Sequence, residues 1–390
     1  VYSYNLSGFG PQLRVYNISD PYNPVKILTD GAVVDSVSGE NMYIAADSQG
    51  FKTPSEVKLM DVGDLWESDN QADVLIISPD QLDCSLLAQH HISHDGLSVK
   101  SVKLSEVVNQ FGFGINDPGA IRAFALYAYL NWREPSPAYL LLIGDGHYDY
   151  RNILNSPPNF MPPAGKQIHF SDDWFVRFED PSRGFPFMSV GRLTASSQLE
   201  LDVMMDKIIS YTSSPEYGYW KNTFILAGDD EYVGREGNQS EHTIQTDLLR
   251  QHIYPLADIR YLYMIEYPMR SNLTKPEARE DLIGMWNEGC LAVNYIGHGN
   301  YHLWAHEVLF DSNSDVARLN NGKKLPLMFS GSCSVGEFYM PFRESTSEKL
   351  IARQNGGSII SIAATGLTGS DANFSLNSRF FSELFLSDST

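Results

Sequence analysis

Between Gly289 and Glu337 two short apolar runs each end in a glycine-rich turn that carries a reactive side chain. The first runs from Cys290 to Asn300 and sets His298 between Gly297 and Gly299. The second runs from Leu325 to Glu337 and sets Cys333 among Gly331, Ser332, Ser334 and Gly336. Apolar runs of this length, bounded by glycine, read as buried strands of a parallel sheet. In open α/β sheets the working groups sit just past the carboxyl ends of the strands. The pattern therefore delivers a histidine and a cysteine to one edge of one sheet. A thiol nucleophile and its general base require that arrangement.

The rest of the chain repeats strand and helix. Asp73 to Pro79, Ser98 to Leu104, Tyr139 to Gly144 and Phe187 to Gly191 read as strands. Helices are expected from Leu82 to His91, from Asp117 and Pro118 to Trp132, and from Ser196 or Ser197 to about Tyr211. After a turn-rich link at 213–218 the alternation restarts. Its strands are Thr223 to Gly228, Ile259 to Ile265, the two opening runs, and Gly357 to Thr365. Its helices are Glu241 to Tyr254, one capped by Thr274 and ended by Gly289, and Thr346 to Gln354. Such alternation implies βαβ units and mostly parallel sheets. Residues 1–60 differ, with short alternating runs and turn signals that read as the end of a β-rich region. The expected organisation is this β segment, an α/β subdomain over 61–215 and a catalytic α/β subdomain over 216–390.

With 390 residues, 43% of them hydrophobic, the chain can build more than one packed core. Its formal net charge of -20 argues against nucleic acid and anionic membrane surfaces as partners. Three cysteines, Cys84, Cys290 and Cys333, are no disulfide framework. Cys84 and Cys290 sit in apolar runs and read as small core side chains. No apolar run reaches the length of a membrane span. Val1 is not an initiator methionine, no signal peptide is present, and Arg379 to Leu386 read as a helix cut short. A piece of a longer protein is the expectation.

Several other residues carry possible chemistry. His298, His302 and His306 recur every four residues, the spacing of zinc ligands on one helix face. Gly297, Gly299 and Asn300 argue instead for a loop. Asp229, Asp230 and Glu231 follow a strand and offer oxygens suited to calcium. Asp145, in its glycine turn, reads equally as an ordinary Asp-Gly turn, a calcium turn or part of a cleft. Asp172 and Asp173 repeat the acidic theme beside Trp174, and Trp304, Phe338 and Tyr339 read as core or as walls of a side-chain pocket. His90, His91 and His94 read as solvated.

The residues from Ile296 to Gly299 and from Ser330 to Phe338 resemble the active-site pair of the gingipain-type cysteine peptidases. The likeness extends through Val102 to Phe111, Asp117 to Arg122, Tyr139 to Asp145 and Val190 to Arg192, and so over roughly residues 70–390. It implies a caspase-like α/β fold of two adjacent subdomains, with Cys333 as nucleophile and His298 as general acid/base. The backbone N–H groups of Gly299 and Cys333 would form the oxyanion hole. Asp145, Asp172 and Asp173 are the candidates for a third carboxylate or an acidic specificity pocket. The resemblance also implies structural calcium, with no cofactor in the chemistry itself. The leader from Leu13 to Pro24 is similar to the β region ahead of the peptidase domain in the sortase-like branch that serves type IX secretion. That branch implies cargo proteins with C-terminal signal domains as substrates and a surface glycolipid amine as a possible acceptor. It also implies outer-membrane secretion subunits as partners, and the bacterial cell surface as location. Two rival expectations are a secreted protease specific for Arg or Lys and a non-catalytic module that binds cargo.

Overall fold

A computed structural model describes residues 2–21, 23–29, 31–35, 40–55, 57, 63–166, 169–179, 185–230 and 240–386. The chain divides into two compact units, Val1–Asp61 and Val62–Thr390. The first unit is built of short antiparallel strands. β1 (Tyr2–Asn5) pairs with β4 (Ala32–Asp35), while β2 (Arg14–Asn17) pairs with both β3 (Val25–Ile27) and β5 (Tyr43–Ala46).

The second unit opens with β6 (Val74–Ser78), α1 (Ser85–Ser93), β7 (Val99–Lys103), α2 (Leu104–Phe111), α3 (Pro118–Asn131) and β8 (Tyr139–Ile143). A small hairpin of β9 (Gly165–Lys166) and β10 (His169–Phe170) precedes β11 (Ser189–Leu193) and α4 (Gln198–Ser213). These strands form a parallel sheet in the order β11-β8-β6-β7. Local chemistry sets the helix starts. Asp117 accepts the N–H of Gly119 ahead of Pro118, and Ser197 accepts that of Glu200. The strand side chains alternate between faces. Leu75 and Ile77 enter one core with Phe124 and Trp132, while Val74 and Ile76 enter another with Leu87 and Met204.

The chain continues through β12 (Thr223–Gly228), α5 (Glu241–Leu248), α6 (Arg250–Ile253), β13 (Asp258–Tyr263), α7 (Pro276–Glu288) and β14 (Ala292–Ile296). A hairpin of β15 (Leu303–Trp304) and β16 (Phe310–Asp311), then α8 (Ser312–Asp315), lead to β17 (Leu327–Gly331). The remainder is α9 (Thr346–Ala352), β18 (Ile360–Ala363) and α10 (Ser370–Leu386). The second sheet is parallel throughout, in the order β13-β12-β14-β17-β18. All five residues of β14 are buried, as its apolar run requires of a central strand. Ile225 and Val293 face a core with Trp286 and Trp304; Phe224 and Ile296 face another with Phe381.

Two local readings shift. Thr274 does not cap α7; Lys275 holds the N-cap position without a side-chain capping bond. The expected single helix from Glu241 to Tyr254 is two, α5 and α6. Helix α9 carries a capping box, with Ser345 accepting from Glu348 N and Glu348 accepting from Ser345 N. The two sheets are joined at α4 and α9. Lys207 Nζ donates to the carbonyls of Leu350, Ile351 and Arg353 at 3.1, 2.8 and 3.3 Å, satisfying the last turn of α9.

Candidate active site

The second sheet reverses its direction of growth between β12 and β14, and ligands of open α/β sheets gather at such a switch. In the ladders Gly228 aligns with Ile296, and Ile296 with Gly331. Asp229 therefore leaves the sheet one residue beyond this row, and His298 and Cys333 leave it two residues beyond. Three adjacent strands thus release a carboxylate, an imidazole and a thiol at one level. The exits are stitched together: Asp229 N donates to Ile296 O at 3.0 Å and Gly297 N to Gly331 O at 3.4 Å.

The glycines around His298 answer to close approach. A Cβ on Gly297 would lie 2.4 Å from both Asp229 Cβ and Tyr295 Oη. One on Gly299 would lie 2.3 Å from Ser332 Oγ. The histidine turn therefore packs directly on the residue that precedes Cys333, a contact no larger side chain at 299 would permit.

His298 is held from several sides. Its N–H donates to Asp229 Oδ2 at 2.9 Å, and its carbonyl accepts from Tyr295 Oη at 2.7 Å and from Ala305 N at 2.9 Å. The His242 ring, from α5, stands edge-on to the His298 ring with centroids 5.2 Å apart; the His306 ring lies 5.0 Å away on a tilt. Burial pushes the Asp229 carboxyl above the usual carboxylate range, and the bond from His298 N opposes that rise. Behind it, burial and then the charge of Asp229 push Glu307 up to about 7. Among the described residues neither carboxylate oxygen of Glu307 has a hydrogen-bond partner.

Cys333 alone of the three cysteines is partly exposed; Cys84 and Cys290 are buried, and burial raises both thiols. The Cys333 sulfur accepts from Thr368 N at 3.4 Å and lies 3.5 Å from Thr368 O. Ser334 adopts a left-handed φ of 58°, which turns the chain sharply after the sulfur. That turn is moored to the exit of β18, with Ser334 N on Gly366 O at 3.0 Å and Gly336 N on Ala364 O at 2.9 Å. Neither the Gly299 N–H nor the Cys333 N–H has an acceptor among the described residues.

Other expectations are corrected by packing. The histidines at 298, 302 and 306 do not share a helix, as Gly297, Gly299 and Asn300 led one to expect; β15 and its turns occupy that stretch, and His302 contacts Asp311 at 3.1 Å. Trp304 is not a pocket wall. It is fully buried, stacked on Tyr295 with centroids 4.6 Å apart. Phe338, by contrast, does line a cavity with Asp172 and Asp173, its ring lying beneath the Arg192 guanidinium at 4.7 Å from the centroid. Asp172 binds Arg192 through two bonds of 2.8 and 2.7 Å, and Asp173 binds Arg177 at 3.0 Å. Asp145 faces the buried Glu348, and burial pushes its carboxyl up to about 6. The three acids of the first sheet are thus engaged away from His298, and the carboxylate bonded to that histidine's turn is Asp229. Sequence reasoning placed Asp229 in a calcium site and did not single out His242. A carboxylate one residue past a neighbouring strand was the available signal for the first; nothing in the sequence marked the second. His90 is buried rather than solvated, with Nε2 2.8 Å from Thr212 Oγ1.

The calcium expectation does not fit the described residues. Glu231 lies outside them. Asp229, Asp230 and Glu307 do gather, but Asp230 is ion-paired with the buried Lys275, whose ammonium also donates to Met264 O at 2.6 Å. A calcium ion needs six to eight oxygens, whereas this group already has its cation.

The sequence profile of Peptidase family C25 matches residues 67–389. The chain belongs to that family. It is 25% identical to Lys-gingipain of Porphyromonas gingivalis over 229 residues, which are 57% of this chain and 12% of that protein. The present C25 chain therefore spans a small part of the length of this relative. Its fold is similar to that of the Arg-specific cysteine proteinase gingipain R, with a TM-score of 0.61 at 20% identity over 82% of this chain and 68% of the other. Dimeric latent PorU from the same organism overlaps 54% of this chain and 23% of its own, with a TM-score of 0.44 at 21% identity. Among the described residues no helix is long and apolar enough to cross a membrane.

Proposed function

We propose that Cys333 is the nucleophile of this peptidase and His298 its general acid/base. The common level at which their two strands end carries the reading. His298 takes the thiol proton as sulfur bonds to a backbone carbonyl carbon. The resulting oxyanion is received by the N–H groups of Gly299 and Cys333, which have no acceptor among the described residues. The C–N bond then breaks, and His298 returns its proton to the departing amine. Asp229, through the main chain of His298, holds the imidazole turn in place.

The thioester left on Cys333 is resolved by a second nucleophile. Water would release a new carboxylate and the thiol; an amine would form a new amide and the thiol. Thioesters persist long enough for an amine to compete. We infer a sortase role in type IX secretion, in which the enzyme removes the C-terminal signal domain of cargo and passes the new terminus to a surface glycolipid amine. This would take place on the outer face of the outer membrane, beside secretion subunits. The β-rich unit before the peptidase region supports the reading, because its leader sequence resembles that branch of the family. Structural calcium would lie at a site other than the Lys275 cluster.

The test incubates purified protein with a cargo bearing its signal domain, with and without glycyl amine, and reads products by mass. Cleavage that vanishes in Cys333→Ala, with amine adducts on the new terminus, is expected. Unchanged cleavage by Cys333→Ala overturns the nucleophile, and hydrolysis alone in excess amine overturns the transfer. A general secreted protease for Arg or Lys is the second reading, disfavoured by the pairing of Asp172 and Asp173 with arginines.

A further inference from the structure

A cavity of 390 Å³ opens beside the Cys333 sulfur. Its walls are Phe170, Phe329, Ile362, Leu367, Thr368 and Leu376, completed by small residues, Asn373 and main chain, with no charged side chain. Two observations set it next to the sulfur. Thr368, a wall residue, donates its N–H to Cys333 Sγ at 3.4 Å. Gly331, another wall residue, stands two positions before Cys333 on β17. Leu367 and Leu376 are 69% and 61% exposed, so aliphatic surface is left uncovered at the rim.

An adjoining cavity, also 390 Å³, shares Phe170, Ser171 and Ala363 with the first and contains the local acids. Each of those acids already has a partner within the chain. Asp172 is bound twice by Arg192, Asp173 is bound by Arg177, and Glu348 caps α9. A lysine or arginine entering from the sulfur would lose its water among aliphatic and aromatic groups and meet no free carboxylate.

We propose that the compartment beside Cys333 receives the side chain on the acyl side of the cleaved bond, and that it selects uncharged aliphatic residues of about the size of valine or leucine against lysine and arginine. The proposal rests on Cys333 being the nucleophile. Apolar pockets discriminate weakly among aliphatics but strongly against an unpaired charge, so the expected preference over Lys and Arg is tenfold or more.

Peptidyl acyloxymethyl ketones that differ only in the residue next to the reactive carbonyl test this, with the modified cysteine located by mass spectrometry. Leucine and valine probes should modify Cys333 at least tenfold faster than lysine and arginine probes. Equal rates, or faster reaction with the basic probes, overturn the proposal. Leu367→Asp changes an exposed wall residue; it should raise the arginine-to-leucine rate ratio at least tenfold, and an unchanged ratio shows that the side chain goes elsewhere. Iodoacetamide, which has no such side chain, separates the two levels. If it alkylates Cys333 while the ketones show no preference, only the pocket assignment falls. If neither reagent modifies Cys333, the nucleophile assignment falls and the pocket with it.

Discussion

Asp229 accepts the main-chain N–H of His298 at 2.9 Å from a position only 1% exposed. The contact joins the exits of β12 and β14, and Tyr295 Oη, bonded to His298 O at 2.7 Å, braces the same turn. The imidazole is thus presented from a peptide fixed at both its N–H and its C=O. Such outlying bonds commonly alter activity by 10- to 100-fold when removed.

Asp229→Asn keeps the volume and an acceptor oxygen but removes the charge. We expect kcat against a peptide substrate to fall by about 10- to 100-fold with KM nearly unchanged, and the near-ultraviolet dichroism to be preserved. A wild-type kcat would show that the carboxylate serves packing alone.

Gly297→Ala puts a methyl group where Asp229 Cβ and Tyr295 Oη already stand, 2.4 Å from each. Overpacking of this kind costs about 1–3 kcal/mol. The denaturation midpoint in urea should drop accordingly and activity should fall with it, because the displaced atoms are those that hold His298.

Asp145, past the end of β8, and Glu348, in α9, face each other. Burial pushes Asp145 up to about 6 and Glu348 further, with each carboxyl bonded to the other. The unfolded carboxyls titrate near about 4. Between that value and 6 the folded chain holds more protons than the unfolded one, so stability declines as pH rises. The melting temperature should fall from pH 5 to pH 8. Glu348→Gln, which retains the hydrogen-bonding shape of the capping box, should flatten that slope and stabilise the protein at pH 8.

Lys275 is 3% exposed and ion-paired with Asp230. Lys275→Met leaves Asp229, Asp230 and Glu307 together without their cation. Removing one partner of a buried pair costs about 3–5 kcal/mol. Equilibrium unfolding should register that loss, and adding Asp230→Asn should recover part of it. A loss of less than about 1 kcal/mol would mean the acids already share protons.

The parallel sense of the second sheet was legible in short apolar runs, since a strand buried on both faces has to be apolar along its whole length. The helix starts at Asp117 and Ser197 were legible because capping is a contact between near neighbours. His298 and Cys333 stood out because glycine turns after strands expose side chains. Long-range partners were not legible. Trp304 looked like a pocket wall until Tyr295, Trp286 and Phe310 closed around it. Asp172 and Asp173 looked like free acids until Arg192 and Arg177 met them. Asp229 looked like a metal ligand until strand register set it under His298. Sequence alone determined most of the elements and singled out His298 and Cys333, because these depend on periodicity and local turns. Tertiary structure decided which carboxylate serves the histidine and which acids are already neutralised, because charge pairing is settled by distances across strands that lie far apart along the chain.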